Sequence, residues 1–399
     1  MDSSKTLPPG EPANLGILPD RLERLHQRIQ QFVDDGQHAG ISLLLVRNGQ
    51  IADIFATGFR DRELSLPMSR DTIVRIYSMT KIVVSVAALT LLEEGKLGLH
   101  DQVADYLPAF RDLQVLVGGT AENPQLVPAD KALTIQHLFT HTSGIIYDAP
   151  GEVMGEFYRP LTEGDNESLE ELVDCLARLP LKWQPGSRFE YGYSTDVLGR
   201  VIEVITGRRL DEYLRSRILE PLGMVDTAYT VTELRRERLA KVYEHGKGGA
   251  LRPIASLRGE IAEGQRSFPG GGSGLFSTLD DFARFGQMLC NEGELAGTRL
   301  IGRKTWELMV ANHLTGLADS FHNLSVGEGF GLGVAVRLDN GLAGRLGSIG
   351  SFGWAGMATT YSWIDPREKM VALCFAQHLP CDEHGLFHRF TNLFYQALA

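Results

Sequence analysis

The segment at residues 82–92 constrains the fold most, because it contains no charged residue and its apolar side chains cover almost every angle around a helix. A helix that is apolar all round is normally buried. Lys81 precedes this run directly and follows Ser78 by three positions. A lysine in such a turn loses hydration, and a cation near a helix N-terminus opposes the helix macrodipole. These two costs indicate a chemical role for Lys81.

Ser78 and Lys81 form a Ser-x-x-Lys motif. Residues three apart share one face of a helix, so the two side chains are expected to meet. A poorly solvated lysine near a helix N-terminus gives up its proton more readily and can help to deprotonate the serine hydroxyl. Free backbone N–H groups at the start of the helix can stabilise an oxyanion. The alternative is a serine N-cap followed by a surface lysine, and the apolar run behind the motif favours the buried pair.

Composition and charge exclude several classes of function. Lys and Arg number 39 against 50 Asp and Glu, a net charge of −11 that disfavours nucleic acid and anionic lipid as partners. The four cysteines lack CxxC spacing, and neither an HExxH motif nor a phosphate-binding glycine loop occurs, so no metal, nucleotide or other cofactor is expected. The N-terminus lacks the apolar core of a signal peptide and the uncharged run is too short to span a bilayer, which makes a cytoplasmic protein the expectation.

The pattern of apolar residues predicts an α+β fold, an antiparallel sheet flanked by helices with a mostly helical insertion. Asn48-Gly49 is a strong hairpin signal between two apolar runs. The predicted helices cover residues 19–36, 134–140, 168–179, 195–206, 211–219, 231–239, 279–291, 303–312 and 384–398. Further strands are predicted within 329–338, 342–350, 355–366 and 369–377.

Six segments together resemble one known superfamily. They are TIVRIYSMTKIVVSVAALTLLEEGKLGLHDQVADYLP at 72–108, LFTHTSGI at 138–145, PGSRFEYGYSTDVLGRVIEVITG at 185–207, GGGSGLFSTLDDFARF at 270–285, GFGLG at 329–333 and IGSFGWAGMATTYSWIDP at 349–366. Their order and spacing resemble the serine β-lactamase and penicillin-binding-protein superfamily, and in particular the class C β-lactamase-like branch with the family VIII carboxylesterases. The resemblance implies a β-lactamase-like catalytic domain over residues 20–396. We expect a sheet subdomain from 1–77 and 275–399, a helical subdomain from 78–274, and a flexible tail at 1–16.

The superfamily's second motif, Tyr-x-Asn, falls on PGSRFEYGYS. The resemblance implies that Tyr191 is the tyrosine that exchanges a proton with the nucleophile, while Tyr193 stands where the motif has asparagine. A free phenol is a poor base at neutral pH, and a nearby lysine favours the phenolate. Lys81 and Tyr191 are therefore expected to act as a coupled pair. The alternative for Tyr191 alone is a buried core tyrosine.

The third motif, usually Lys-Thr-Gly, is replaced by Trp354-Ala355-Gly356. In β-lactamases and peptidases the cation of this motif pairs with a substrate carboxylate, which tryptophan cannot do. The resemblance to the esterase branch thus implies a site for neutral, apolar acyl esters. Gly356 lets the strand approach the ligand, and the amides of Ser78 and Met357 are implied to form the oxyanion hole. A core tryptophan is the alternative reading of Trp354.

Other candidate residues give weaker indications of a catalytic role. The glycine-rich run around Ser273 does not match the nucleophile elbow of α/β-hydrolases. His141 suggests a Ser-His-Asp triad, but the resembling family uses this segment structurally, so we do not expect catalysis by His141. We place Tyr193 and Trp354 in an apolar cleft, and hypothesise that Tyr147, Phe157 and Trp183 line it too.

The sequence therefore predicts a serine carboxylesterase that hydrolyses short- to medium-chain esters through an acyl-enzyme on Ser78. The rivals on the same fold are a β-lactamase or D-amino-acid peptidase, and an acyltransferase that uses an alcohol in place of water. A non-catalytic penicillin-recognising binding protein is the rival from another class, and the presence of Ser78, Lys81 and Tyr191 counts against it. The expected partner is a small-molecule ester, with no nucleic acid and no membrane, and a homodimer is left open.

Overall fold

The computed structural model of the protein describes residues 6–147, 149, 151–163, 167–254, 260–261, 265–266, 268–317 and 324–399. Thirteen α-helices alternate with strands along the described chain. The helices are α1 Pro19–Asp34, α2 Thr80–Glu93, α3 Val103–Tyr106, α4 Ile135–Phe139, α5 Val153–Glu163, α6 Leu169–Arg178, α7 Ser194–Thr206, α8 Leu210–Leu214, α9 Glu220–Leu222, α10 Leu279–Cys290, α11 Arg303–Met309, α12 Asn340–Ala343 and α13 Leu386–Tyr395. Tighter 3-10 turns cover Pro12–Leu15, Tyr77–Met79, Pro108–Phe110 and Glu233–Arg238, and a π-helical turn covers Arg215–Leu219.

The strands are mostly short outside one central sheet. They are β1 Gly40–Arg47, β2 Gln50–Asp61, β3 Leu66–Pro67, β4 Val74–Arg75, β5 Gln114–Gly119, β6 Pro124–Pro128, β7 Tyr243–His245, β8 Leu251–Pro253, β9 Glu260–Ile261, β10 Gln265–Arg266, β11 Phe276–Ser277, β12 Glu294–Leu295, β13 Thr298–Arg299, β14 Glu328–Phe330, β15 Ala335–Arg337, β16 Phe352–Gly356, β17 Thr360–Asp365, β18 Met370–Phe375 and β19 His378–Leu379.

The central sheet has eight strands in the order β14-β15-β16-β17-β18-β1-β2-β3. Its neighbouring strands are antiparallel. Strands from the two ends of the chain meet in the middle of the sheet, where β18 pairs with β1. Asn48 and Gly49 form the turn between β1 and β2 with φ of 52° and 77°, the left-handed pair that a tight hairpin requires. The predicted α+β architecture and this hairpin are confirmed.

Helices cover both faces of the sheet, because β1 is apolar on both of its faces. Leu43 and Leu45 point to a core shared with α1 and α13, whereas Leu44 and Val46 point to a larger core that includes α2 and α10. This alternation follows the two-residue period of a strand. The predicted closing helix is α13, which packs on the same side as α1.

Helix α2 lies in the interior of the molecule, as the absence of charge in its sequence predicted. Every residue from Thr80 to Leu91 is buried. The helix packs against α7 and α8 of the helical region, so the segment that carries the Ser-x-x-Lys motif is held from several sides.

One predicted strand is wrong. The strand predicted within 342–350 is not formed, because the Asp339 side chain caps the short helix α12 and Gly344 ends it in a left-handed conformation. Within the tail predicted at 1–16, the described residues 6–16 contact the fold. Gly10 N–H donates to the Ile51 carbonyl at 2.9 Å, and Leu15 is buried.

Within the described ranges no helix combines the length and the apolar character that a bilayer crossing needs. The division into a sheet subdomain and a helical subdomain at residues 77 and 274 stays a prediction.

We expect Leu89→Ala to lower the free energy of unfolding by about 2–5 kcal/mol, because the side chain is fully buried in α2 and its loss leaves a cavity. Leu234→Ala is the matched control, since Leu234 is 91% exposed and its truncation should cost less than about 0.5 kcal/mol. Urea denaturation followed by circular dichroism measures both. Equal losses in the two variants would contradict the buried position of α2.

Candidate active site

Ser78 and Lys81 meet at the start of α2. Ser78 lies in the 3-10 turn Tyr77–Met79 that runs directly into the helix, and Lys81 Nζ lies 3.4 Å from Ser78 Oγ. Tyr77, just before the serine, has a φ of 42°, in the left-handed region that a bulky residue rarely adopts. Such backbone strain concentrates at functional sites, where the surrounding structure enforces it.

Lys81 is 1% exposed, and its ammonium group is surrounded by acceptors. It donates to the Gly272 carbonyl oxygen at 2.6 Å, to the Tyr147 hydroxyl at 2.7 Å and to Ser78 Oγ at 3.4 Å. An ammonium has three N–H donors, and each of them has an acceptor here. Lys81 is thus held between the serine, a tyrosine and a backbone carbonyl.

The glycine-rich run at 268–274 carries the Gly272 carbonyl. Gly272 N–H donates to Asp196 Oδ1 at 2.8 Å, and a Cβ at Gly272 would lie 2.3 Å from Asp196 Oδ2. A Cβ at Gly271 would lie 2.2 Å from the Thr195 carbonyl oxygen. Only glycine permits this approach to α7, so the run positions an acceptor for Lys81.

Tyr191 lies beside Lys81 and Trp354. Lys81 Nζ is 4.7 Å from the centroid of the Tyr191 ring, within cation–π range. The Trp354 indole N–H donates to the Tyr191 hydroxyl at 3.0 Å, and the two rings lie 5.2 Å apart. The structure therefore brings together Lys81, Tyr191 and Trp354, three of the residues that the sequence placed at the site. Lys81 lies on the ring face of Tyr191, and Trp354 contacts its hydroxyl.

Tyr147 is the member of this network that sequence reasoning placed only in the cleft wall. Its hydroxyl accepts the hydrogen bond from Lys81, and its ring lies 4.6 Å from the Tyr193 ring and 5.6 Å from the Tyr191 ring. Its position two residues after the LFTHTSGI segment was the available signal. Nothing local in the sequence distinguishes it from Tyr158, which lies in the core.

Gly356 brings the C-terminal end of β16 against the serine turn. A Cβ at Gly356 would lie 2.3 Å from the Ile76 carbonyl oxygen and 2.2 Å from Thr360 Oγ1. Met357, the next residue, is 45% exposed and lines the same cleft as Ser78. The two residues whose amides we expect to form the oxyanion hole therefore line one cleft.

The cleft has a volume of about 800 Å³, a size typical of small-molecule sites. Phe157 and Trp183 are not among its lining residues, so their hypothesised place there is wrong. Phe157 packs against the main core, and the Trp183 indole donates to Glu190 at 3.0 Å. The lining residues include Ser78, Tyr147, Tyr191, Tyr193, Ser273, Trp354, Gly356, Met357, Tyr361 and Trp363.

His141 supports the tyrosine and shows no contact with Ser78 among the described residues. Its ring lies 4.6 Å from the Tyr191 ring, and its Nδ1 accepts from Gly192 N–H at 3.3 Å. Complete burial, together with the charge of Lys81, lowers the pKa of His141 well below its usual value. A neutral imidazole in this position orients the Tyr191 segment, which agrees with the structural role we expected.

Burial raises the pKa of the Tyr361 phenol in the cleft wall to about 12. The charged side chains Arg345 and Glu328 line the cleft as an ion pair. The wall thus offers aromatic surface and paired charge to a ligand.

We expect Gly356→Ala to lower kcat/KM for an activated ester by about 100-fold, because the new methyl group pushes the strand away from the serine turn and displaces reacting groups by about 1 Å. Gly341→Ala is the control, since the atom that its new Cβ would meet is a side-chain oxygen, Asp339 Oδ1 at 3.3 Å, and not backbone of the serine turn. Steady-state hydrolysis of p-nitrophenyl butyrate measures both. Full activity in Gly356→Ala would show that this approach is not needed.

Comparisons with known proteins identify the family of the chain. The family model described as Beta-lactamase matches residues 25–388. Protein Rv1367c of Mycobacterium tuberculosis (strain ATCC 25618 / H37Rv) is 33% identical over 362 residues, 88% of this chain and 89% of that protein. Esterase EstB of Burkholderia gladioli is 30% identical over 365 residues, 86% of this chain and 87% of EstB.

Among solved structures, EstCE1, a hydrolase with promiscuous acyltransferase activity, matches with a TM-score of 0.77 and 26% identity, covering 96% of this chain and 99% of EstCE1. The resemblance and the β-lactamase-like fold expected from the sequence are confirmed. The chain belongs to the Beta-lactamase family and is a serine hydrolase or acyltransferase of the β-lactamase and penicillin-binding-protein superfamily.

Proposed function

We propose that the protein is a serine carboxylesterase that hydrolyses neutral, short- to medium-chain esters through an acyl-enzyme on Ser78. The observation that carries the proposal is the position of Trp354. It lies on β16 in the wall of the Ser78 cleft, where the motif of β-lactamases and peptidases has a cation, and its N–H is already bonded to Tyr191. A tryptophan in this position offers apolar surface to an acyl or alkyl group and no charge to a substrate carboxylate.

In the acylation step, Ser78 Oγ attacks the ester carbonyl carbon and the hydroxyl proton passes to the Tyr191 oxygen. The amides of Ser78 and Met357 stabilise the oxyanion of the tetrahedral intermediate. When the carbon–oxygen bond of the ester breaks, Tyr191 returns the proton to the leaving alcohol. A water molecule then attacks the acyl-enzyme, gives its proton to Tyr191 and releases the acid, and Ser78 recovers its proton.

Two contacts support Tyr191 as the proton carrier. The Lys81 ammonium lies over its ring, and the Trp354 N–H points to its hydroxyl oxygen, so both complement negative charge on that oxygen. Tyr147 takes a different role in this scheme. Its hydroxyl, with the Gly272 carbonyl, holds Lys81 in place.

The lining of the cleft supports a neutral ester as substrate. The aromatic side chains of Tyr191, Tyr193 and Trp354 line the same cleft as Ser78, and the charged side chains Arg345 and Glu328 in its wall pair with each other. The names of EstB, an esterase, and EstCE1, a hydrolase with promiscuous acyltransferase activity, support the same reaction class.

We expect the protein to hydrolyse p-nitrophenyl butyrate at least about 100-fold more efficiently than the cephalosporin nitrocefin, because Trp354 cannot pair with the nitrocefin carboxylate. Ser78→Ala should lose both activities and should no longer show the mass of a butyryl adduct in intact-protein mass spectrometry. Initial rates with each substrate give its kcat/KM, and the two values are then compared.

Ser325→Ala is the control for this experiment, since Ser325 also lines the cleft but has no contact with Lys81 among the described hydrogen bonds. Its rates should match the wild type. Nitrocefin turnover comparable with ester turnover would favour the β-lactamase alternative. Ester hydrolysis that survives in Ser78→Ala would overturn the proposed nucleophile.

Tyr191→Phe and Tyr147→Phe form a matched pair, because each removes one hydroxyl from the same cleft. We expect Tyr191→Phe to lower kcat for ester hydrolysis by about 10²–10⁴-fold through loss of proton transfer. Tyr147→Phe should lower it by only about 10-fold, the effect of one lost hydrogen bond to Lys81. Single-turnover acylation rates distinguish the two, and a larger loss in Tyr147→Phe would assign proton transfer to Tyr147.

Acyl transfer to an alcohol is the second candidate, and the description of EstCE1 favours it. Both reactions share the acyl-enzyme and differ in the group that attacks it. Adding 1-butanol to the p-nitrophenyl butyrate assay and measuring butyl butyrate by gas chromatography separates them. An ester product exceeding free butyrate at low alcohol concentration would identify an acyltransferase.

A further inference from the structure

Four side chains outside the catalytic network form a compact cluster of metal-ligating groups. His245, His378, Glu383 and His384 each offer one ligand atom, and these atoms all lie within 4.8 Å of one another. His245 ends β7, His378 begins β19, and the other two lie in the loop that leads to α13. The cluster thus joins a strand of the middle of the chain to its C-terminal segment.

The distances from the Glu383 carboxylate to the three rings are close to the ligand–ligand distances of a tetrahedral metal site. From Glu383 Oε2 the ring nitrogens lie at 2.9 Å for His378 Nε2, 3.3 Å for His245 Nδ1 and 3.6 Å for His384 Nε2. Ligands bonded to zinc at about 2.0–2.1 Å in a tetrahedron are about 3.3 Å from one another. The carboxylate oxygen therefore already has the spacing that a bound ion would require.

The hydrogen bond of the other ring nitrogen of His245, Nε2, also favours a metal site. His245 Nε2 lies 3.2 Å from the Gly36 carbonyl oxygen, which can only accept, so Nε2 is the donor. In a neutral ring Nδ1 then carries a lone pair, and this lone pair faces the Glu383 carboxylate. Two acceptors that face each other at 3.3 Å are bridged by a proton or by a bound cation, and a metal ion would take this place. Metal-bound histidines usually donate their other N–H to a carbonyl in this way.

One ligand atom of the cluster, His384 Nε2, has no hydrogen-bond partner among the described residues. Buried polar atoms are normally hydrogen-bonded, so this nitrogen is available to bind an ion. The His38 ring, which is 1% exposed, lies 4.9 Å from the His378 ring and 5.7 Å from the His384 ring.

We propose that His245, His378, Glu383 and His384 bind one divalent transition-metal ion, with Zn²⁺ as the ion that their chemistry fits best. Three imidazole nitrogens and one carboxylate oxygen form a borderline donor set that suits Zn²⁺, Co²⁺ or Ni²⁺ better than Ca²⁺ or Mg²⁺. His38 lies behind the four ligands as a packing ring.

The site has a structural consequence for the catalytic cleft. Cys381 and Asp382 lie between the ligands His378 and Glu383, and both line the cleft. The Cys381 thiol donates to the Gly356 carbonyl oxygen at 3.3 Å, at the end of the strand that meets the serine turn. His378 and Glu383 lie on either side of these residues, and His245 lies on β7. A metal ion that they share cross-links the loop to β7 and fixes this part of the cleft wall.

The test uses the full-length protein without a polyhistidine tag, stripped with EDTA and dialysed. Isothermal titration with ZnCl₂ should give one ion per chain, and CoCl₂ should produce visible ligand-field absorption bands of low-symmetry Co²⁺. Removing one ligand in His245→Ala or in His384→Ala should weaken Zn²⁺ binding by at least about 10–100-fold. His100→Ala is the control, because His100 is exposed and lies outside the cluster.

Thermal unfolding provides a second readout that does not depend on activity. Zn²⁺ should raise the Tm of the wild type and of His100→Ala, and should leave the Tm of His384→Ala unchanged, because only a folded site binds the ion. Failure of the folded wild type to bind Zn²⁺ and Co²⁺, or binding that persists unchanged in His245→Ala and His384→Ala, overturns the proposal. Neither outcome bears on the esterase assignment, since that rests on Ser78.

Discussion

The burial of Lys81 is the constraint on which the active site depends. Removing an ammonium from water costs several kcal/mol unless acceptors surround it. The acceptors come from the serine turn, from Tyr147 and from Gly272, three segments far apart in the chain. Because each must reach the same nitrogen, the helical region and the glycine run have to pack onto α2. The catalytic geometry and the fold of this region therefore have one physical origin.

Trp354 links this buried charge to substrate choice. Its indole donates to Tyr191, whose ring in turn lies under the Lys81 ammonium, so one chain of contacts runs from the strand to the cation. A lysine at this position would add a second cation beside Tyr191. Tryptophan donates to Tyr191 without adding charge. Under the proposed function, Trp354 therefore supports Tyr191 and offers no charge to a substrate carboxylate.

The sequence predicted much of the fold, because α2, the Asn48-Gly49 hairpin and α13 have local patterns that their surroundings reinforce. It also predicted which residues meet at the site, through the motifs of the resembling superfamily. It missed the bond between Tyr147 and Lys81, which are 66 residues apart, because no local pattern reports such a contact. It mistook the run at 342–350 for a strand, since a side-chain cap at Asp339 outweighed the apolar residues.

The histidine cluster likewise could not be predicted from the sequence. Glu383 and His384 are adjacent, but His245 is 138 residues away from Glu383, and no metal-binding spacing appears in the chain. Only the pairing of β19 with β7 brings these rings together, since His378 is opposite Tyr243 in that short ladder. The loop between these ligands then contacts the Gly356 carbonyl through Cys381. A site assembled by tertiary structure alone therefore lies one residue from the wall of the Ser78 cleft. An ion bound there would stiffen this loop and, through Cys381, would hold the end of β16 beside the serine turn.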